Sequence, residues 1–560
     1  MKKLIVLSLA GLLILAFGVT AYAQAPKLEF RASGFIDMQS FLGVNVPQYQ
    51  NGPQTQASSW FSTAGSGGLI NAGMPVFYGT VNNNWTSTAA GSFGAGKSGN
   101  GWNKVDSHWE ARAHLKFDAI MGPNLSGTIY FEIDTMRWGS SGSGGQTLWS
   151  NFMGGREANS FGGWTTDRTA VEVKNIYIDV GLPYFGIPVP ITVRVGAQPI
   201  GVRPQMLVYS DGMGITGGIK IDPVLITPIY AKAMAPNDFQ NKDCDVWGLH
   251  ANAKLGTFTV GGYGLYYEMN TYPFWVPGIA PVAGFPAYLT PAVTGTNEAN
   301  MWWLGAYLDG KAGPVNINFD FVYDFGKVQE KLLPTPSNRD VSYQGWATRA
   351  KVDFPWEKFS FGAVGMYATG PDTRATSPEG RPGQITNIGT PSRRNSGYVV
   401  PPGSEQSPGN GESLVVYSME PGATGGYGLA NRANYAGLSP GGFGGTWFAK
   451  LYANAKITPW YKLTLQGLYI GDTTKNGNTL GTAFKHPGTA SLLLRDDKDI
   501  GWEFNLINEF WIYPNLRFFV GAGYLFAGNA LDVGQVVGGK SHNNSPANPW
   551  AVRTRLMYTF

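Results

Sequence analysis

Apolar and polar residues alternate with a period of two along most of this chain, whereas the 3.6-residue period of an amphipathic helix is nearly absent. The clearest stretch runs from His108 to Ala119. Trp109, Ala111, Ala113, Leu115 and Phe117 fall on one face, and His108, Glu110, Arg112, His114, Lys116 and Asp118 on the other. Eighteen such segments can be marked, near residues 28–41, 108–119, 125–137, 169–180, 190–200, 214–221, 224–234, 246–255, 257–268, 301–309, 315–325, 341–353, 358–368, 446–457, 461–471, 500–512, 516–526 and 549–560. Each is close to the ~9–11 residues of a membrane-crossing strand. The pattern predicts an all-β fold, a transmembrane antiparallel barrel of about eighteen strands, with sixteen as the alternative count.

The connections alternate in length. Short ones carry turn chemistry, as in Met121-Gly122-Pro123-Asn124, Ile221-Asp222-Pro223, Leu255-Gly256, Gly313-Pro314, Phe354-Pro355-Trp356, Thr458-Pro459-Trp460 and Tyr513-Pro514-Asn515. The others are long and rich in Gly, Ser, Asn and Pro, notably 42–107, 138–167, 269–300, 369–445, 472–499 and 527–548. Short periplasmic turns and long extracellular loops give a barrel this asymmetry, and a soluble β-protein has no reason to sort loops by parity. The 181–189 connection is long for its parity, and the 214–221 segment is glycine-rich. Trp109, Trp138, Trp302, Trp303, Trp356, Trp460, Trp502, Trp511 and Trp550 sit near strand ends, where interfacial girdles are expected.

Composition narrows the class. The chain has 560 residues, 77 of them glycine, and only 14% are charged against about 25% in ordinary soluble domains. A hydrophobic content of 43% is too high for a disordered chain. The net charge of +4 offers no electrostatic case for nucleic acid. Met1, Lys2 and Lys3, the apolar run Leu4 to Phe17 and Ala21-Tyr22-Ala23 read as a Sec signal peptide over residues 1–23, cut before Gln24. Residues 24–560 then form the exported barrel. Cys244 is the only cysteine, which excludes an intramolecular disulfide and a thiolate zinc cluster.

Catalytic motifs are weak. Gly91 to Ser98 fits the P-loop spelling G-x-x-x-x-G-K-S, but it lacks the preceding strand and following helix that would cradle a phosphate. His108 and His114 would lie ~20 Å apart on one strand, too far to share a metal. Asp472 to Asn476 starts like a calcium loop, yet Ala483 stands where the twelfth-position acid belongs, so a turn is the better reading. No enzymatic role, cofactor or metal site is expected.

The inward parity is more informative. With the apolar face toward lipid, the lumen receives Arg112, Lys116, Arg194, Lys254, Arg349, Lys351, Lys450, Lys456, Lys462, Arg517, Arg553 and Arg555. It also receives Glu110, Asp118, Glu132, Asp134, Asp179, Asp320, Asp324, Glu503 and Glu509. A charge on the lipid side would cost ~2–4 kcal/mol near the midplane, so their shared parity points to a polar interior. Lys450, Lys456, Arg517, Arg553 and Arg555 are expected to form a basic patch favouring anions. Of the two largest loops, the aromatic-rich first, with Trp60, Phe61, Phe77, Tyr78 and Trp85, is expected to narrow the lumen more than the Pro-rich loop holding Arg393 and Arg394.

The last segment, Pro549 to Phe560, places Trp550, Val552, Leu556, Tyr558 and Phe560 on one face. It resembles the C-terminal signal of outer-membrane barrels. That resemblance implies Tyr558 and Phe560 as the signal and the barrel assembly machinery as a partner. Val171 to Asp179, followed by Ile191 to Pro199, resembles paired strands of bacterial porins and alginate-export-type barrels. Ile500 to Leu506, continuing to Tyr524, is similar to the penultimate hairpin of the latter group, whose members have eighteen strands. Residues and resemblance together imply a porin-like channel in a Gram-negative outer membrane, surrounded by lipid, monomeric or homo-oligomeric, passing small hydrophilic solutes. Two other readings stay open: a dedicated alginate-like polysaccharide export or uptake pore, and a non-conducting surface anchor or adhesin.

Overall fold

The computed structural model describes residues 27–46, 104–135, 171–182, 189–234, 243–272, 297–330, 341–372, 394–404, 409, 411–417, 442–481, 483–489, 494–537 and 540–560. The first strands are β1 (Leu28–Val46), β2 (Lys104–Met121), β3 (Leu125–Thr135), β4 (Glu172–Gly181), β5 (Ile191–Val202), β6 (Val208–Ile221) and β7 (Val224–Met234). They continue as β8 (Cys244–Leu255), β9 (Phe258–Tyr272), β10 (Asn297–Ala312), β11 (Val315–Glu330), β12 (Val341–Trp356), β13 (Phe359–Ala368) and the two-residue β14 (Arg394–Asn395). Then come β15 (Thr446–Thr458), β16 (Tyr461–Asp472), β17 (Asp499–Tyr513), β18 (Leu516–Ala527), the small hairpin β19 (Val533–Val537) and β20 (Lys540–Asn544), and β21 (Trp550–Thr559).

Each wall strand pairs antiparallel with its chain neighbour, and β21 closes the ring by pairing with both β18 and β1. Closure leaves no sheet edge, the condition for placing strands in hydrocarbon. The wall contains eighteen strands, and all eighteen segments marked by alternation lie in it. Most strands run longer than the alternation suggests, because pairing continues past the apolar band. β6 begins at Val208, not near 214, and the first two strands extend the wall into the 42–107 connection as far as Val46 and from Lys104.

Alternation decides which side each residue takes. Along β17, Trp502, Phe504 and Leu506 are exposed outward, while Glu503, Asn505 and Ile507 are buried inward. The outer face carries Leu249, Leu304, Leu451 and Leu465 between two aromatic belts. One belt, at the rim of tight turns, includes Trp356 and Trp460; the other includes Trp302, Trp346 and Trp502. Ring pairs between strands, such as Tyr266 with Trp302 at 4.5 Å and Trp346 with Tyr367 at 5.0 Å, tie the second belt together. Trp303 corrects the girdle assignment. It is fully buried on the inner side, and its indole N–H donates to Val399 O at 2.8 Å.

The tight-turn rim also holds the chain end, where Gly34 N donates to Phe560 O and Phe560 N to Gly34 O at 2.9 and 3.1 Å. Gly256 shows why these turns need their residues: at φ +62 it occupies the left-handed region that admits glycine without strain. Residues 1–23, the 91–98 motif and the aromatic residues of the first loop lie outside the described residues.

Candidate pore constriction

Among the described residues, two segments leave the wall and enter the barrel. The first is the β5–β6 hairpin. Pairing of β5 to β4 ends at Ile176↔Ala197 and pairing of β6 to β7 ends at Met213↔Lys232, yet β5 and β6 stay paired to Val202↔Val208. The hairpin beyond Ala197 and Met213 therefore has no ladder pairing with either neighbouring strand, and its tip is deeply buried, with Val202, Met206, Leu207 and Val208 at most 3% exposed. Arg203, at φ 43, reaches β10 and β11. Its guanidinium takes Asp320 at 2.5 and 2.6 Å and Asp309 at 2.7 Å, and stacks over the Tyr307 ring at 4.1 Å. A bidentate Arg–carboxylate pair fixes orientation as well as adding energy.

The second comprises residues 394–404, 409 and 411–417, part of the Pro-rich loop. β14 adds to β12 in parallel through Ser342↔Arg394 and Tyr343↔Asn395. A Cβ on Gly345 would stand 2.5 Å from the Gly397 backbone, so only glycine permits this approach. The Asp324 carboxylate accepts Val399 N–H at 3.1 Å and Gly345 N–H at 3.2 Å, Tyr398 O–H donates to Met206 O at 2.7 Å, and Gly409 N–H donates to Gln205 O at 3.0 Å. The two inserts thus brace each other across the interior. Residues of the Pro-rich loop enter the lumen, while the first loop, expected to narrow it more, lies outside the described residues.

Two wall contacts hold the far end of this insert. Glu412, buried, accepts from Arg349 at 2.7 and 3.0 Å and pairs with Lys450. Burial alone would raise its carboxyl, but the two cations outweigh burial and hold it down at about 2. One strand pair further round, the Glu503 carboxylate accepts N–H groups of Leu414 (2.9 Å), Val415 (2.8 Å) and Val416 (2.9 Å) and the Ser413 hydroxyl (2.8 Å). Residues 413–417 curl around that carboxylate as a backbone anion nest.

Many of the other inward charges form compensated networks. Glu132 meets Arg112 at 2.8 Å, Lys174 at 2.7 Å and His114 at 3.1 Å, and Lys174 also meets Asp211 at 2.7 Å. Lys174 faces inward because β4 bulges there: Tyr130 pairs with Asn175 and Phe131 with Val173, leaving one extra residue. Lys116 pairs with Asp118 at 3.0 Å and Arg194 with Asp179 at 2.6 Å. Glu110 is buried on the same face. Asp134 stands opposite Arg112 in the register, with its side chain outside the described residues.

Several members of the expected basic patch are held by partners. Arg555 is paired with Asp37 at 2.9 Å, Arg517 and Lys462 with Glu509 at 3.4 and 2.7 Å, and Lys450 is sealed against Glu412. Arg553 stacks on Phe41 at 4.8 Å. Alternation assigns a face, and the partner comes from whichever strand lies alongside: a hairpin neighbour for Arg517 and Glu509, but the opposite end of the chain for Arg555 and Asp37. Lys174, Arg203, Asp211, Asp309 and Glu412 were not among the expected residues. The turn after Asp472 is built by its carboxylate, which accepts Thr474 N–H at 2.7 Å and the Thr479 hydroxyl at 3.0 Å. Among the described residues no group of three or more His, Cys, Asp or Glu is placed to hold a metal. Cys244 is buried.

No family model matches this chain, and no curated protein matches it. Solved structures of similar outline include Pseudomonas aeruginosa OpdQ, 8% identical at a TM-score of 0.44 over 95% of this chain and 98% of that one. P. aeruginosa OccK9 (OpdG) is 9% identical at 0.44 over 94% and 98%. The outer membrane protein OpdK of the same organism is 7% identical at 0.43 over 95% and 99%.

Proposed function

We propose that this protein is an outer-membrane channel through which small hydrophilic solutes diffuse passively, with Arg112, Arg349, Glu132, Asp320 and the other inward charges as its lining. The supporting observation is the segregation across the closed wall: large apolar residues outside, carboxylates and cations inside. The apolar band then spans the membrane, the tight turns face the periplasm, and Tyr558 and Phe560 close the ring as the segment read during assembly. Bracing of the β5–β6 hairpin against residues 394–417 narrows the lumen, which favours small solutes over a polysaccharide chain. Liposomes carrying the barrel should swell in arabinose faster than in a large dextran. Equal, background swelling in both would refute the channel. One observation supports a second reading, a non-conducting anchor: Tyr398, Leu414, Val415 and Val416 pack the interior almost without exposure. Swelling separates the two.

A further inference from the structure

Beyond Arg349 and Lys450, toward the tight-turn rim, the inner wall of β11, β12, β13, β15 and β16 lines an open cavity of about 510 Å³. Four lysines line it, Lys351, Lys358, Lys456 and Lys462, against two carboxylates, Asp353 and Glu357. Asp353 is engaged, accepting Tyr452 O–H at 2.9 Å and Asn316 N–H at 3.3 Å. Lys351, Lys358 and Lys456 make no ion pair among the described residues. Many inward cations elsewhere, Arg112, Arg194 and Arg555 among them, meet a carboxylate.

The register sharpens the point. Lys456 stands directly opposite Lys462, and Lys456 N donates to Lys358 O at 2.7 Å, so the three lysines are backbone neighbours, with Lys358 and Lys456 open to water. Like charges placed opposite each other destabilise a sheet, and Glu509 offsets only Lys462. Such a cluster is stabilised by an anion between its members. All the cavity's cations are lysines. An ammonium is a compact point charge with three rotatable donors, so the cluster selects by charge, and a dianionic phosphate gains more from it than a monocarboxylate. Ser360 and Asn454, joined at 2.8 Å, present hydroxyl and amide groups beside the cluster for the polar remainder of a solute.

We propose that this cavity is a binding site for small phosphorylated, hydroxylated solutes, with Lys358, Lys456 and Lys462 taking the phosphate. The proposal rests on the channel reading and names a solute class for it. It is tested on the whole barrel in detergent, free of lipid, by calorimetric titration with glycerol 3-phosphate, and separately by current recording in bilayers. Saturable binding is expected, absent for glycerol and at least about tenfold weaker for acetate. Lys358→Gln with Lys456→Gln should weaken it about tenfold or more, while Lys485→Gln, remote from the cavity, leaves it unchanged. Lys456→Gln alone serves if the double variant fails to assemble, as judged by heat-modifiable migration. Absence of saturable binding, equal binding of acetate, or indifference to the cavity lysines would overturn the site. A barrel that conducts without binding fails this proposal alone; one that binds without conducting fails the channel reading alone.

Discussion

Replacing Glu503 by glutamine should release the inserted segment without altering the wall. Its carboxylate receives four donors, Leu414, Val415 and Val416 N–H and the Ser413 hydroxyl. Each hydrogen bond to a charged acceptor is worth roughly 1.5–3 kcal/mol net. Glutamine keeps one oxygen, so two bonds persist, while its NH2 group confronts two donors. Allowing for relaxation, the cost comes to roughly 3–5 kcal/mol, which lowers the docked-to-undocked ratio by about two to three orders of magnitude. The assay is maleimide labelling of Val415→Cys in a Cys244→Ser background, Cys244 being the only other thiol. Val415 is 2% exposed, so labelling should be slow with Glu503 and fast with glutamine, and single-channel current should rise in parallel. Equal labelling rates and unchanged current would refute the view that this carboxylate pins the insert.

Acid should loosen the same insert. Glu412 has its carboxyl held at about 2, below the ordinary 4.5, so its contribution is fully present above pH 4.5 and is lost as pH falls toward 2. That difference amounts to ~3 kcal/mol, so Val415→Cys labelling should be flat from pH 7 to 5 and accelerate only near pH 3 and below, read with an acid-tolerant thiol reagent. Leu451→Arg, at the most exposed of the described leucines with 71% exposure, should cost about 2–4 kcal/mol of insertion and reduce heat-modifiable barrel, whereas Leu451→Phe should not. Deleting Phe560 removes its paired contacts with Gly34 and should slow barrel assembly, measured by protease protection, while assembled barrels conduct normally.

The wall was legible because each of its strands has two dissimilar surroundings, and alternation records that directly. Legibility ended where the chain leaves the wall. In Met206-Leu207-Val208 and Leu414-Val415-Val416-Tyr417 both faces are buried, so alternation gives way to short apolar runs. Those runs, lying within turn-rich stretches, were the available signal for inserts. The inward parity of Glu503, Asp324 and Arg349 could be read from their strands, but not that their partners would be backbone amides of residues 399 and 414–416 or the carboxylate of Glu412. Such contacts join residues 63 to 90 positions apart, and no local pattern encodes them. Lys174 was missed for a smaller reason, since a single bulge reverses the parity of a strand from that point on.

The most direct measurement of the central claim is single-channel recording of the purified barrel in a planar bilayer. A charged interior behind a closed apolar wall predicts discrete ohmic steps for the native protein, small because the two inserts meet in the lumen, and larger steps for Glu503→Gln. Silence from both, in preparations that show heat-modifiable barrel, would contradict it and leave the anchor reading in its place.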